Sequence, residues 1–338
     1  MDIEQIWFAL VAFFFIGYFV LDGFDFGVGM ALPLLGRDDT DRRVMINTIG
    51  PVWDLNETWV IVAGAVLFAA FPEWYASLFS GFYLPLLLIL LALILRGVSF
   101  EYRHQRREPQ WAARFDLMII IGSFLPAFLW GVAFANIVRG VPMDADHQVS
   151  ISLFGLLNPY GLLGGLTLVL LCLVHGMIFI ALKTEGEIRA RARAMILRFM
   201  LPTIAVAATF LFWTVLMHIQ VPHLIWIIAL AGLAAGSLIA AGLFSLRGRE
   251  GFAFTAMALT IAAAVATLFV SLFPNVMPST TTPAGTLTIV NASSSEYTLG
   301  VMLWVALITT PLVIGYQAWT YWVFRRRLSR DHIPAAAH

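Results

Sequence analysis

Long, uninterrupted apolar runs set the pattern of this 338-residue chain, and polar residues fall in short clusters between them. A bilayer core takes about 20 apolar residues per helix. Nine runs meet that length, at about 6–34, 50–71, 79–99, 115–138, 156–182, 196–219, 224–246, 252–273 and 298–324. Such runs predict helices, because a segment in hydrocarbon must satisfy its own backbone, whereas a spanning β-barrel would alternate apolar and polar positions. The predicted fold is all-α: a polytopic integral membrane protein of about nine transmembrane helices, forming one domain over 1–338. One stretch between spans, 274–297, is rich in Ser, Thr and Pro and too polar for lipid. Its hydroxyls suit an ordered cap or a flexible loop equally well.

Composition narrows the class. Hydrophobic residues make up 60% and charged residues 12%, which excludes a soluble enzyme and a disordered chain. The formal net charge is zero, so no global field draws nucleic acid. An acidic start (Asp2, Glu4) and a long first apolar run argue against a cleaved signal peptide. The lone Cys172 can form neither an intramolecular disulfide nor a thiolate cluster, and reads as a small core residue.

The 20 Lys and Arg orient the spans. They follow the first (Arg37, Arg42, Arg43), third (Arg96, Arg103, Arg106, Arg107, Arg114), fifth (Lys183, Arg189, Arg191, Arg193, Arg198), seventh (Arg247, Arg249) and ninth spans (Arg325, Arg326, Arg327, Arg330). All but Arg139 therefore share one side, which predicts an odd span count with the N-terminus outside and the C-terminus cytoplasmic. The basic loops are read as serving orientation and lipid headgroups.

Four acids fall inside spans, where a charge is costly and points to function. Asp22 and Asp25 end the first span, and Asp54 and Glu57 begin the second, each pair spaced i, i+3. Both pairs lie in the cytoplasmic half of helices joined by a short loop. Arg96 is counted with the loop after its span, so no cation is expected at their depth. Desolvation and mutual repulsion then prevent all four from being ionised together, which suits proton transfer. The bland alternative is acids that reach cytoplasmic water and do nothing. A cation site is a third possibility. Gly23, Gly27 and Gly29 suit close helix packing, and no strand–turn–helix context supports a dinucleotide loop. Only His175 lies well inside a span, so the chain cannot supply a bis-histidine heme or an oxidase copper cluster. His104, His147, His218, His223, His332 and His338 fall in or near loops and the tail. Trp7, Trp74, Trp304 and Trp319 read as interface or packing aromatics.

The motif LDGFDFGVG, then R-x-M-I-N-T-I, then GPVWDLNETW, resembles the smaller core subunit, subunit II, of cytochrome bd-type terminal quinol oxidases. LFSGFYLPLLLILLALILRGVSFEYR, GSFLPAFLWGVAFANIVRGVP, LLNPYGLLGG and FPNVMPSTTT with LTIVNASSSEYTLGVMLWVA follow in family order, over about residues 10–325. The resemblance implies two four-helix bundles plus one peripheral helix, in a complex that oxidises quinol and reduces dioxygen to water. It implies a heme-bearing subunit I holding two b-type hemes and one heme d, with no heme ligated by this chain. A small single-span accessory subunit, a bound structural quinone and a bacterial or archaeal cytoplasmic membrane are implied too. Asp25 and Asp54 match the family's proton-path aspartates, with Asp22 and Glu57 beside them, and Trp59 matches the tryptophan of an oxygen route. The chain departs from the pattern at Leu55, where Gly is expected, and Glu57 is often Gln in the family. The rival reading is a proton- or cation-coupled secondary transporter, against which no pair of broken helices appears in matching halves. A third reading is a plain scaffold for the heme subunit.

Overall fold

The computed structural model describes residues 2–106 and 108–332, so Arg107 and His338 lie outside the described residues. The helices are α1 (Ile3–Leu35), α2 (Asp39–Ile49), α3 (Trp53–Ala70), α4 (Pro72–Gly81), α5 (Tyr83–Tyr102), α6 (Pro109–Arg139), the short α7 (Leu153–Leu156), α8 (Pro159–Lys183), α9 (Gly186–Met217), α10 (Leu224–Leu246), α11 (Glu250–Leu272) and α12 (Glu296–Val323). Eight are long and apolar enough to cross a bilayer, and a ninth crossing is made if α2 and α3, bent by 48° at Gly50–Pro51, count as one. All nine predicted spans thus find helices.

Four of the helices, α2, α7, α8 and α12, start where a short polar side chain caps them. Asp38 accepts from the Asp41 amide at 2.8 Å, Asn158 from the Gly161 amide at 3.0 Å, and Ser295 from the Thr298 amide at 3.3 Å; each satisfies a donor the helix cannot. α1, α3, α5 and α6 pack as one group, and α8, α9, α10 and α11 as a second, with α1 and α6 against α8 as the seam. α12 stands apart as the peripheral helix and buries only Leu299, Gln317 and Thr320. The seam is tight because glycine faces glycine. A Cβ on Gly27 would stand 1.9 Å from the Cys172 carbonyl oxygen, and one on Gly176 would stand 2.2 Å from the Gly27 carbonyl carbon. The small-residue reading of Gly27 therefore holds, and Cys172 is a buried core residue.

The polar 274–297 stretch is an ordered cap. β1 (Asn275–Met277) pairs antiparallel with β2 (Leu287–Thr288). Thr280 N–H donates to the Val141 carbonyl at 2.9 Å, Ser279 and Thr281 hydroxyls donate to the Met143 carbonyl at 2.6 Å each, and Val276, Met277, Leu287 and Ala292 are buried beneath. The hydroxyls thus stitch this segment to the turn after α6. At the other end several arginines are tied into ion pairs. Arg42 and Arg103 both hold Asp116 (2.9 and 2.6 Å), and Arg191 and Arg330 both hold Asp41 (2.5 and 2.8 Å). Arg330 also reaches Asp38 at 2.7 Å, and Lys183 donates to the Phe324 and Arg326 carbonyls, so the C-terminal segment is strapped across the basic end.

Candidate functional site

Of the four predicted acids, Asp22 and Asp25 are fully buried. With a rise of 1.5 Å per residue, Asp22 stands about 20 Å from the basic end of α1, well inside the bilayer span. The expectation that no cation shares this depth is overturned. Arg96 is fully buried, and its Nη2 donates to Asp22 at 2.6 Å and to Glu57 at 3.0 Å. The reason is length. α5 continues to Tyr102, about 9 Å beyond Arg96 along the axis, and Arg96 lies on the buried face with Ala92, Leu93 and Ser99. Its guanidinium also sits 4.4 Å from the centroid of the Phe26 ring, a cation–π contact that desolvation strengthens.

The second acidic pair separates. The buried face of α3 is Asn56, Trp59, Ala63, Leu67 and Ala70, and at 100° per residue Asp54 falls on the opposite side. Asp54 is accordingly exposed, while the Glu57 side chain is 20% exposed and reaches Arg96 from the flank. The inward position goes to Asn56, which sequence reasoning passed over inside the same WDLNETW motif. Asn56 Nδ2 donates to Asp25 Oδ2 at 2.7 Å, and its Oδ1 accepts from Gln317 Nε2 (2.9 Å) and Tyr321 Oη (2.7 Å). Gln317 Oε1 accepts from Trp59 Nε1 at 2.7 Å. The spacing of Gln317 and Tyr321 at i, i+4 in an otherwise apolar span was the available signal. Five polar atoms in the cluster are buried without a protein partner: Asp22 Oδ2, Asp25 Oδ1, Arg96 Nε and Nη1, and Tyr18 Oη. Buried polar groups are normally satisfied, so such a concentration marks a place apart from ordinary core.

Trp59 seats its ring on Gly17, where a Cβ would stand 2.1 Å from an indole carbon, and touches Phe13 and Phe14 with ring centroids 5.8 and 6.1 Å away. It lines a cavity of about 340 Å³ between α12 and the α1–α3 pair, whose other walls include Trp7, Leu55, Val62, Val305 and Ile314. The walls are almost wholly apolar, so this groove admits small apolar molecules and excludes ions.

His175 is a buried core residue. Its Nε2–H donates to the Val20 carbonyl at 3.1 Å, and its ring stacks on Phe254 at 4.7 Å. One imidazole nitrogen is thus engaged by the backbone, and the other, Nδ1, is buried without a protein partner. Among the described residues no group of three or more His, Cys, Asp or Glu is placed to hold a metal ion. Trp7 and Trp74 are buried, whereas Trp304 and Trp319 face outward.

A helical membrane protein with an acid–arginine–amide cluster sealed beside an apolar groove is the class these features define. The family model described as cytochrome bd terminal oxidase subunit II matches residues 3–324, and the chain belongs to that family. It is 42% identical to cytochrome bd ubiquinol oxidase subunit 2 of Bacillus subtilis (strain 168), over 97% of each chain. It is 36% identical to cytochrome bd-I ubiquinol oxidase subunit 2 of Escherichia coli (strain K12), over 98% of this chain and 97% of that one. The fold is similar to a chain in the solved structure of bd oxidase from Geobacillus thermodenitrificans, with a TM-score of 0.77 and 18% identity, covering 96% of this chain and 99% of the other. The chain is thus a subunit of an oxidoreductase complex.

Proposed function

We propose that this chain supports a heme-bearing subunit I in a complex that oxidises quinol and reduces dioxygen to water, and that it carries a proton path and an oxygen path toward that subunit. Heme in the complex supplies the oxygen chemistry, and this chain ligates none. The basic end faces the cytoplasm of a bacterium or archaeon, with the N-terminus outside. Protons first meet the chain at Asp54, exposed at the start of α3, and pass among Glu57, Asp22 and Asp25. The observation that carries the reading is the charge count of the buried cluster. One guanidinium, Arg96, faces Asp22 and Glu57, and Asp25 has only an amide. Protons can make up the difference and move on and off without unpairing Arg96. Water held by the orphaned atoms around Tyr18 and Arg96 would bridge the carboxyls.

Oxygen is small and apolar, enters laterally from lipid, and follows the groove past Trp59. A bound structural quinone is part of the proposed complex; the nearest candidate for its head group in this chain is an apolar cavity of about 170 Å³ between α6 and α8–α11, whose wall includes Trp130 with its indole N–H buried and unpartnered. A single-span accessory subunit completes the complex.

Two measurements test this reading. The purified complex should show a heme d absorption band, while this chain expressed alone should show no Soret band. A stoichiometric heme in the isolated chain would contradict the assignment of heme to subunit I. Trp59→Phe and Trp59→Ala should change KM for oxygen more than KM for quinol, and an unchanged oxygen KM in both rules out the oxygen route.

A further inference from the structure

Gln317 joins the two proposed routes. α12 is a 28-residue apolar helix that turns little inward besides this one amide, and an amide at membrane depth is tolerated only when its hydrogen bonds are made. Gln317 is 4% exposed and uses both ends of its amide, accepting from Trp59 at 2.7 Å and donating to Asn56 at 2.9 Å. We propose that Gln317 is a positioning residue for both routes: it fixes the Trp59 indole at the floor of the apolar groove and, through Asn56, aims a chain of N–H donors at Asp25. The inference rests on the reading of Trp59 and Asp25 given above.

The direction of the chain follows from chemistry. An indole N–H can only donate, so the Gln317 oxygen must face Trp59 and its NH2 must face Asn56. Asn56 Oδ1 then accepts from Gln317 and from the Tyr321 hydroxyl. Asn56 Nδ2 is left to donate to the Leu21 carbonyl at 3.4 Å and to Asp25 at 2.7 Å. Each donor in the sequence Trp59, Gln317, Asn56 thus points toward the carboxylate. Without Gln317, Asn56 Oδ1 keeps only the Tyr321 hydroxyl as a donor, and Trp59 loses the hydrogen-bond partner of its indole N–H. A leucine would fill the same space, so packing alone does not account for an amide here.

The test uses the complete oxidase with subunit I and verified heme content. Gln317→Met removes both bonds at near-constant volume. It should shift KM for oxygen by about two- to tenfold, the range one net hydrogen bond carries, and lower kcat as well. Gln317→Glu keeps an acceptor for the indole in either protonation state, so oxygen KM should return to near the wild-type value. In a Trp59→Phe background, which has no indole N–H, Gln317→Met should move oxygen KM no further. In an Asp25→Asn background it should lower kcat no further. Wild-type KM and kcat in Gln317→Met, or additive effects in both backgrounds, overturn the proposal. If Gln317→Met fails to assemble, Gln317→Glu carries the test, and an oxygen KM as far from wild type as in Trp59→Phe overturns the proposal. If Trp59→Phe and Asp25→Asn alone leave both parameters unchanged, it is the assignment of the two routes that fails, and the inference falls with it.

Discussion

The basic end and the membrane interior both hold buried acids, and they neutralise them differently. At the basic end each buried carboxylate has two arginines: Asp116 with Arg42 and Arg103, and Asp41 with Arg191 and Arg330. In the interior one arginine serves two acids, Asp22 and Glu57, and Asp25 has only the Asn56 amide. A carboxylate gripped by two guanidiniums acts as a knot, here tying α2 to α5, α6, α9 and the tail. Acids that share or lack a cation change the cluster's charge whenever a proton binds or leaves. The same residue types therefore build a doubly paired clasp in one region and, in the other, a cluster with fewer cations than acids, which is where the proton path is proposed.

The sharpest way to break this comparison is to remove one arginine from each region. Arg96→Gln strips the acids Asp22 and Glu57 of the guanidinium they share and should destabilise the subunit by about 3–5 kcal/mol, because it leaves uncompensated buried charge. Thermal unfolding of the purified complex, or loss of assembly, reports it. Arg42→Ala leaves Asp116 with Arg103 and keeps water near the site, since the Arg42 side chain is 33% exposed. Its cost should be about 1 kcal/mol or less. Equal losses from the two variants would erase the distinction.

The smallest effect concerns acid. The Asp41 backbone N–H, donating at 2.8 Å, holds the Asp38 carboxyl below its ordinary range, with Arg330 adding to the effect. Because that group is more acidic folded than unfolded, the stability it supplies is present above its unfolded value near pH 4 and is lost as pH falls through the lower, folded value. The strap that Arg330 makes to Asp38 and Asp41 should therefore loosen only below about pH 4, seen as faster hydrogen exchange around residues 324–331. Loosening already at pH 6 would mean that another group holds the strap.

Spans and glycine packing were legible because they depend on local pattern: apolar length for the helices, and small side chains at Gly27 for the α1–α8 seam. Asp22 and Asp25 were legible because a charge inside an apolar run stands out. Arg96 was misread because sequence alone does not say how far a helix continues past the bilayer, and α5 carries on to Tyr102. Asn56 and Gln317 were missed for another reason. Neutral amides carry no penalty signal comparable to a charge, and their partners lie 261 residues apart in sequence. Helix phase decided between Asp54 and Asn56: two residues apart, about 200° around the helix, the first is exposed and the second buried.

The central claim is that the interior acids move protons while the acids of the basic end do not. Asn keeps the volume and hydrogen bonding of Asp but cannot carry the proton. Reduction of one dioxygen to water consumes four protons, and drawing them from the cytoplasm makes turnover electrogenic. The direct measurement is oxygen consumption together with charge separation in proteoliposomes, on Asp25→Asn and Asp54→Asn complexes with verified heme content, beside Asp116→Asn as the basic-end control. The account predicts intact heme with turnover slowed in the first two by about tenfold or more, as for loss of a proton-transferring group, most strongly at high pH, and wild-type charge per oxygen with near wild-type turnover in the third. Wild-type turnover and potential in both Asp25→Asn and Asp54→Asn would contradict it and assign the proton route wholly to subunit I.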